Sequence, residues 1–542
     1  MVVGSGAAAL AAALAAHDAG ATVAIMERAS AVGGTTAVSG GGVWMPRNHV
    51  TGADDSREEA LAYMTALSGG RADAEQLARF VDEGPDILAG LEKRSGARFA
   101  AISWPDYHPE MDGARPTGRM VEPTLYDTAR LGDWAKRLRR APVLGLPLTL
   151  QESTVDWSPS YTPERYDGAE IKRRVAEGLV ACGQSLVGGL LEGCLARGIE
   201  PILEARALEL IVRDGAVAGL VVEREGRRVD IDAGAVILAS GGYEWNSELR
   251  SRFLPGPLTH PTSPPGNEGD GLLMAMEVGA DLANMNEAWW YPAGAVPGDE
   301  YEGRQLSRFV AVERTAPHSI MVDRFGHRFV NEAANYNDMQ KAFFAFDAND
   351  AAPRHLPCWV VFDKQYRDRY PVLTVRPGAP DPEWLLAHDT LEGLAAAAGI
   401  DPVGLADSVQ RWNGFVADGR DRDYGRGDSL YDRFHGDPTA PHPNLGTLER
   451  PPYYALPVHL GAVGTSGGPR VDLNGQVQHV RDRPIPGLYG AGNAIASPAG
   501  PAYFGGGTTI GMALVWGHIA GGAAAVSLGP ERTGERRGSP SG

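Results

Sequence analysis

The chain has 542 residues, of which 43% are hydrophobic and 22% charged, a composition typical of a globular protein with two or three domains. Its formal net charge of −18 disfavours binding to nucleic acid or anionic membranes, because phosphate groups would repel it. Three cysteines without CxxC spacing predict no disulfide framework, and histidines without ligand spacing predict no metal site.

Two apolar stretches raise the question of a membrane span. Residues 7–16 are too few to cross a bilayer, and no basic segment precedes them as a signal peptide would require. Residues 505–528 are long enough, but they are rich in glycine and contain His518, which favours a buried helix that begins at a glycine loop. We therefore expect a cytoplasmic protein without a stable membrane anchor.

The chain begins with a strand, a glycine turn and a helix. An apolar pair precedes GSGAAA at residues 4–9, an alanine-rich helical run follows, and a strand-like segment ends at Glu27. Gly4 permits a tight turn, and Gly6 lets the backbone approach a pyrophosphate at the positive end of the helix. Glu27 lies where a carboxylate accepts hydrogen bonds from an adenosine ribose. The pattern predicts dinucleotide binding, and its short first strand leaves open a start upstream of Met1.

A second glycine-rich segment, GGTTAVSGGG at residues 33–42, follows the acidic residue. Its backbone N–H groups can reach the diphosphate, ribityl chain and ring of a flavin. An NAD-dependent dehydrogenase does not need this second glycine-rich segment. Residues 236–242 are typical of a buried strand that ends in a glycine turn. Residues 485–493 are typical of a strand that brings a polar side chain to a cofactor. Together these segments predict FAD bound by both ends of the chain.

Several ordered stretches make the sequence resemble the flavoprotein family of fumarate reductases and 3-ketosteroid dehydrogenases, especially its 3-ketosteroid dehydrogenase branch. The resemblance extends from residue 2 to about residue 525 and depends on residues 33–46, 266–271, 288–290, 328–332, 444–446, 484–493 and 503–511. The motifs and the resemblance predict that FAD contacts Gly4, Gly6, Ala7, Ala8, Glu27, Arg28, Gly33, Gly34, Thr35, Thr36, Ser39, Gly40, Gly41, Ala239, Ser240, Gly241, Gly492, Asn493, Thr508, Thr509 and Ile510.

The resemblance implies an α/β fold in which a discontinuous Rossmann-like FAD-binding domain carries an inserted α+β catalytic domain. Residues 1–262 and 454–528 are assigned to the FAD-binding domain, and residues 263–453 to the catalytic domain. The order of motifs agrees, because the dinucleotide turn is at the start and a flavin-binding strand is near residue 490. Residues 529–542 are expected to form a disordered tail.

Dehydrogenation beside a ketone needs a base for the α-proton, donors for the enolate oxygen, a hydride acceptor and exclusion of water. The resemblance implies that Tyr503 and the Gly507 N–H bind the carbonyl, that Tyr336 is the base, and that Tyr107 assists the base. A free tyrosine has a pKa of about 10, so neighbours must stabilise the phenolate. The alternative for each tyrosine is an amphipathic packing residue whose hydroxyl finds a partner.

Departures from the dicarboxylate branch favour a neutral ketone over fumarate or succinate. Gly464 stands where that branch has a substrate-binding histidine, and Tyr503 stands where it has an arginine. Residues 33–42 contain no histidine for covalent attachment, so FAD is expected to be non-covalent. Phe504 replaces the proline usual in the steroid branch, which leaves the shape of the substrate open.

These observations predict an FAD-dependent dehydrogenase that introduces a C=C bond α,β to the ketone of a bulky apolar polycyclic substrate and passes electrons to an external acceptor. 3-Oxosteroid 1-dehydrogenation is the leading candidate. The alternatives are an enone reductase, a 4(5)-desaturase or a fumarate reductase-like enzyme acting on a polyketide or terpenoid, and a flavin-binding protein without activity. The GTSGG segment at residues 464–468 fits a hydrolase elbow, but no helical pattern follows it. The oligomeric state is left open.

Overall fold

The computed structural model describes residues 1–52 and 54–529. Of the predicted tail, residues 530–542 therefore lie outside the described residues. Within the described part of the chain, one sheet has five strands in the order Ile25–Met26, Val2–Val3, Val236–Leu238, Arg483–Gly490 and Gln476–His479. The first four strands are parallel, and the last is antiparallel to its neighbour. Strands from the start, the middle and the end of the chain therefore share one sheet.

Two apolar helices, Ala7–Asp18 and Thr508–Ser527, pack closely against each other. An added Cβ at Gly517 would collide with the Ala8 carbonyl, and one at Gly521 with the Ala12 carbonyl, so glycine permits this approach. Among the described residues, Thr508–Ser527 is the helix long and apolar enough to cross a membrane, but 67% of its most apolar part is buried inside the protein. It is the buried helix that the sequence predicts, whereas a cytoplasmic location stays a prediction.

A larger mixed sheet lies in the middle of the chain. Its described strands follow the order Arg304–Phe309, Ala288–Tyr301, Tyr453–Thr465, Cys358–Asp363 and Ser319–Asp323, and His260–Pro261 and Leu386–His388 also pair with Tyr453–Thr465. Side chains alternate between its faces: Val360 and Phe362 join one apolar core, and Val361 joins a second core with Trp412. The helices Leu391–Ala398 and Pro402–Asp418 contribute to the second core.

Shorter elements complete the described part of the chain. The remaining strands are Val43–Trp44, Phe99–Ala101, Met120–Pro123, Tyr126–Asp127, Leu179–Val180, Ala205–Arg213, Ala216–Arg224, Arg227–Asp232, Leu282–Ala283, Phe346–Asp347, Ala352–Pro353 and Gly468–Pro469. The remaining α-helices are Gly34–Val38, Arg57–Ser68, Ala74–Arg94, Gly168–Ala176, Cys182–Leu195, Ser247–Phe253, Asp270–Glu277, Val312–Thr315, Tyr336–Met339, Lys364–Arg369 and Leu430–Phe434. Glu152–Asp156 is a π-helix, and Thr128–Arg137, Pro163–Arg165, Gln340–Phe344 and Gly492–Ala494 are 3₁₀-helices.

The segment that fits a hydrolase elbow does not have the structure of one. Ser466 follows the strand Tyr453–Thr465, and the next element is the strand Gly468–Pro469, which pairs with Leu282–Ala283. A nucleophile elbow needs a helix directly after its serine. The absence of that helix from this described segment agrees with the sequence-based rejection of a hydrolase.

Candidate active site

A cavity of about 600 Å³ is lined by segments from the start, the middle and the end of the chain. Every predicted site residue except Gly33 and Thr508 lies on its wall. Gly33 is buried nearby, where its N–H donates to the Ser5 hydroxyl at 3.0 Å. The Thr508 hydroxyl is used within the fold, since it donates to the Gly505 carbonyl at 2.9 Å. The fold thus brings nearly all predicted residues to one site.

The glycine turn at the start of the chain forms part of one end of the cavity. Gly4 has φ 108°, and an added Cβ there would collide with the Ala239 carbonyl, so only glycine fits. Gly6 is the N-cap of the helix Ala7–Asp18, and this helix start lies on the cavity wall. The Ala7 N–H donates to the Thr36 hydroxyl at 3.0 Å. The positive end of a helix beside a close-packed glycine turn suits a phosphate group.

Glu27 and Arg28 lie on the wall near this turn. Glu27 is 7% exposed, and its carboxylate accepts a hydrogen bond from the Ser5 hydroxyl at 2.5 Å. Arg28 forms ion pairs with Glu268 at 2.9 Å and with Asp270 at 3.2 Å. The carboxylate of Glu27 is therefore held in place at the wall, and the charge of Arg28 is compensated.

Other residues at this end leave room for a ligand. The Ser240 hydroxyl is buried and has no hydrogen-bond partner among residues 1–52 and 54–529. An unsatisfied buried hydroxyl costs about 1–3 kcal/mol, so a ligand that bonds to it is stabilising. Gly41 belongs to the second glycine-rich segment, has φ 70° and packs against the backbone of Cys182. The Ser240 hydroxyl and the helix start at Gly6 are polar groups of the kind that bind the phosphates and hydroxyls of a dinucleotide such as FAD.

Asn493 lies on the wall in the turn Gly492–Ala494. Its side-chain oxygen accepts a hydrogen bond from the Trp289 indole N–H at 3.1 Å. An added Cβ at Gly464 would collide with the Asn493 amide nitrogen. A histidine at position 464, as in the dicarboxylate branch, would therefore require the Asn493 side chain to shift.

The three tyrosines of the predicted chemistry meet at the other end of the cavity. Tyr107 and Tyr503 are stacked, with ring centroids 5.1 Å apart. Tyr336 lies edge-on to both, at 5.4 Å from Tyr107 and 5.6 Å from Tyr503. Gly507, the N-cap of the helix Thr508–Ser527, also lines the cavity and has φ 92°. These residues come from three distant parts of the chain.

Burial and mutual contact control the ionisation of the tyrosines. Burial, and then the charges of Tyr336 and Tyr503, raise the pKa of Tyr107 well above its usual value. Burial is also the main cause that raises the pKa of Tyr336, and hydrogen bonding with Tyr107 opposes this increase. Burial raises the pKa of Tyr503, against hydrogen bonds with Tyr336 and Thr509. Tyr107 therefore opposes, but does not overcome, the burial and the charge of Tyr503 that raise the pKa of Tyr336.

An ion pair joins the segments that carry Tyr107 and Tyr336. The adjacent His108 contacts the Asp338 carboxylate through Nε2 at 2.8 Å, and Lys341 donates to the same carboxylate at 2.8 Å. Burial disfavours the charge of Asp338, but these two partners outweigh it and hold its pKa well below the usual value. The ionised pair therefore helps to keep the two tyrosines in contact.

Several residues at the tyrosine end are not predicted by any motif in the sequence. Tyr431 lies edge-on to Tyr107, with ring centroids 5.2 Å apart, and Arg314 and His435 also line the cavity. Phe309 lies edge-on to Tyr336 at 4.9 Å. None of these residues belongs to a glycine-rich motif, so their sequence neighbourhood carries no local signal of a site.

Comparison with known proteins agrees with this geometry. A family model described as an FAD binding domain matches residues 1–510. The 4-oxocyclohexanecarboxylate 2-dehydrogenase of Sinomonas cyclohexanicum is 41% identical over 96% of this chain and 92% of its own length. A 3-oxosteroid 1-dehydrogenase of Mycobacterium tuberculosis (strain ATCC 25618 / H37Rv) is 35% identical over 96% of this chain and 97% of its own length.

A solved structure is also similar over nearly the whole chain. It is the 3-ketosteroid delta1-dehydrogenase from Sterolibacterium denitrificans in complex with 1,4-androstadiene-3,17-dione, with 35% identity and a TM-score of 0.90. The match covers 97% of this chain and 99% of the other. Fold, cavity and similarities together define an FAD-dependent oxidoreductase that acts on CH–CH groups.

The chain belongs to the flavoprotein family of fumarate reductases and 3-ketosteroid dehydrogenases, within the 3-ketosteroid dehydrogenase branch. This confirms the family, the enzyme class and the cofactor that the sequence predicts. The roles of individual residues stay predictions.

Proposed function

We propose that this enzyme removes hydrogen from the carbons α and β to the ketone of a cyclic substrate, with FAD bound non-covalently. The convergence of Tyr107, Tyr336, Tyr503 and Gly507 at one end of a cavity, whose other end fits FAD, is the observation that supports this function. When bound, the flavin supplies a hydride acceptor.

Tyr503 and Gly507 bind the substrate carbonyl in this proposal. The Tyr503 hydroxyl donates one hydrogen bond, and the backbone N–H of Gly507 donates a second. Within residues 1–52 and 54–529, the Gly507 N–H donates to no protein acceptor, so it is available to a ligand. Donors aimed at an oxygen that gains charge stabilise the enolate-like transition state more than the ketone.

The phenolate oxygen of Tyr336 takes the α-proton and becomes a hydroxyl, and Tyr107 donates a hydrogen bond that stabilises the phenolate beforehand. The contact between the two rings supports this pairing, because burial alone keeps a tyrosine protonated. Tyr431 and Phe309 pack edge-on against the pair and exclude water from it.

The domain organisation follows from the positions of these residues. We assign residues 1–262 and 454–528 to a discontinuous Rossmann-like FAD-binding domain and residues 263–453 to an inserted α+β catalytic domain. The five-stranded sheet draws on both chain ends, which supports a discontinuous FAD-binding domain. The strand Tyr453–Thr465 instead pairs with Ala288–Tyr301 and Cys358–Asp363 in the larger sheet, so the return to the FAD-binding domain moves from residue 454 to a point after Thr465. An electron acceptor outside the chain completes each turnover.

Two substrate classes are candidates. A 3-oxosteroid is supported by the similarity to several 3-oxosteroid 1-dehydrogenases at 34–35% identity. A small cyclic keto acid is supported by the 41% identity to a 4-oxocyclohexanecarboxylate 2-dehydrogenase and by the 33% identity to a 4-oxocyclohex-2-ene-1-carboxylate 5-dehydrogenase of the same organism. Both classes present a ring ketone to Tyr503 and Gly507.

Anaerobic mixing of the purified holoenzyme with a panel of compounds tests the proposal. The panel contains steroid ketones, small cyclic ketones, cyclic keto acids and dicarboxylates, and the readouts are flavin absorbance and mass spectrometry of the product. We expect bleaching by at least one cyclic ketone, with formation of the matching enone. Bleaching by a dicarboxylate alone would instead support the fumarate reductase-like alternative, and no bleaching by any ketone would refute the proposal.

A further inference from the structure

A buried arginine lies in the cavity wall. Arg314, on the helix Val312–Thr315, lines the cavity and is 2% exposed. Its Nε donates to the Val310 carbonyl at 3.1 Å, and its Nη1 donates to the carbonyls of Glu332 and Ala334. These bonds hold the guanidinium in one orientation, with backbone oxygens on two of its three nitrogens.

The charge of Arg314 has no fixed counter-ion. No carboxylate in the described ranges 1–52 and 54–529 lies within 4.0 Å of its guanidinium nitrogens. The charge of Asp432 raises the pKa of Arg314. The Asp432 carboxylate, however, accepts its hydrogen bonds from Asn331 at 2.8 Å and from the Gly427 N–H at 2.9 Å. Burial lowers the pKa of Arg314. An unpaired charge in a protein interior is destabilising unless a ligand of opposite charge compensates it.

The position of Arg314 is at the tyrosine end of the cavity. Tyr431, Tyr161 and Tyr107 lie close enough to Arg314 to influence its pKa, and Arg314 in turn lowers the pKa of Tyr431 through its charge and a hydrogen bond. Tyr107 in turn stacks on Tyr503, and all four tyrosines and Arg314 line the same cavity.

A second polar group at this wall is unpartnered. The Nε2 atom of His435 is buried without a hydrogen-bond partner in the part of the chain that the structure describes. Burial, and then the charge of Arg314, lower the pKa of His435 to about 3, so the neutral ring can donate from Nε2 at pH 7. Its ring centroid is 5.1 Å from that of Trp104, whose indole nitrogen is also buried and unpartnered.

The other cavity-lining arginines in the described residues are already neutralised. Arg28 pairs with Asp270 at the glycine-turn end. Arg139 pairs with Glu302, and its surroundings include Glu27 at the same end. Arg314 therefore differs from both in its position and in its missing counter-charge.

We propose that Arg314, assisted by His435, binds a carboxylate of the substrate, which makes the substrate a cyclic keto acid rather than a neutral polycyclic ketone. This inference rests on the proposed function, because the ketone must lie against Tyr503 and Gly507 while the carboxylate reaches Arg314. A carboxylate there accepts charge-assisted hydrogen bonds and supplies the missing counter-charge in a weakly polar wall. A hydrocarbon ring system would leave the guanidinium buried and unpaired.

Two isosteric probes test the subsite: 4-oxocyclohexanecarboxylate and its neutral carboxamide. We expect the wild-type holoenzyme to prefer the acid by about 30-fold or more in kcat/KM, as for a buried charged pair. Arg314→Gln keeps a donor for the backbone carbonyls but removes the charge, and it should bring the acid-to-amide ratio close to one. Arg314→Lys should keep part of the preference. Arg367→Gln is the matched control, because Arg367 is a buried arginine off the cavity wall that also donates to two backbone carbonyls, and it should leave the ratio unchanged.

A binding measurement that needs no turnover accompanies these assays. Calorimetry should show that cyclohexanecarboxylate binds the wild-type holoenzyme more tightly than cyclohexanecarboxamide, so the proposal stays testable if the glutamine variant does not fold. Equal loss of both activities in Arg314→Gln, or equal binding of the two ligands, would overturn the subsite. Turnover of neutral or steroid ketones without turnover of the keto acid would refute the subsite alone, whereas no turnover of any ketone would refute the proposed function.

Discussion

Replacement of Tyr503 by phenylalanine isolates the role of one hydroxyl. The Tyr503 ring is buried, stacks on Tyr107 at 5.1 Å and contacts Trp289 edge-on at 5.2 Å, and all these ring contacts persist in Tyr503→Phe. The variant therefore loses a donor to the carbonyl with little change in packing. Loss of one such donor costs about 3–4 kcal/mol in the transition state, which lowers kcat by about 10²–10³-fold.

The assay is anaerobic single-turnover mixing of the FAD-loaded variant with a ketone that the wild-type enzyme oxidises. The rate of flavin bleaching reports the chemical step, and the FAD content and melting temperature report the fold. Tyr366→Phe is a matched control, because Tyr366 is equally buried and its hydroxyl donates to the Pro371 carbonyl at 2.9 Å, off the cavity wall. We expect this control to retain the wild-type bleaching rate. A wild-type rate in Tyr503→Phe would remove Tyr503 from the mechanism.

Three further variants test the remaining assignments. Tyr336→Phe should abolish exchange of the α-proton into deuterated solvent, followed by NMR of the substrate, and undiminished exchange would indicate another base. Tyr107→Phe removes a hydrogen bond that favours the Tyr336 phenolate, so the pKa of Tyr336 rises and the ascending limb of the kcat–pH profile should move to higher pH; an unmoved limb would contradict the pairing. Gly4→Ala should abolish FAD retention on a desalting column, because the added Cβ collides with the Ala239 carbonyl at a φ of 108°, and stoichiometric FAD would refute this account.

The glycine-turn end of the cavity follows from local patterns in the sequence. The turn at Gly4, the helix Ala7–Asp18 and the acid Glu27 lie within one short segment, and each follows from backbone rules that act over a few residues. The strand before Glu27 is short, since only Ile25–Met26 pairs with Val2–Val3.

Patterns did not predict the polar wall beside the tyrosines. Arg314 and His435 lie in segments without glycine motifs or regular apolar spacing, and their significance comes from what surrounds them. A buried cation without a counter-ion is a property of three-dimensional contacts, because any arginine in a sequence is by default exposed and solvated. The sequence patterns do not show this charge and therefore favour an apolar polycyclic substrate.

The amino-acid sequence alone determined the family, the cofactor and the glycine turns, because these depend on short segments whose conformation is controlled by local sterics and helix polarity. The tertiary structure decided that Tyr107, Tyr336, Tyr431 and Tyr503 meet, and that Arg314 faces the same cavity without a counter-charge. Contacts between segments hundreds of residues apart depend on strand order and on the packing of whole sheets. No local spacing along the chain encodes them.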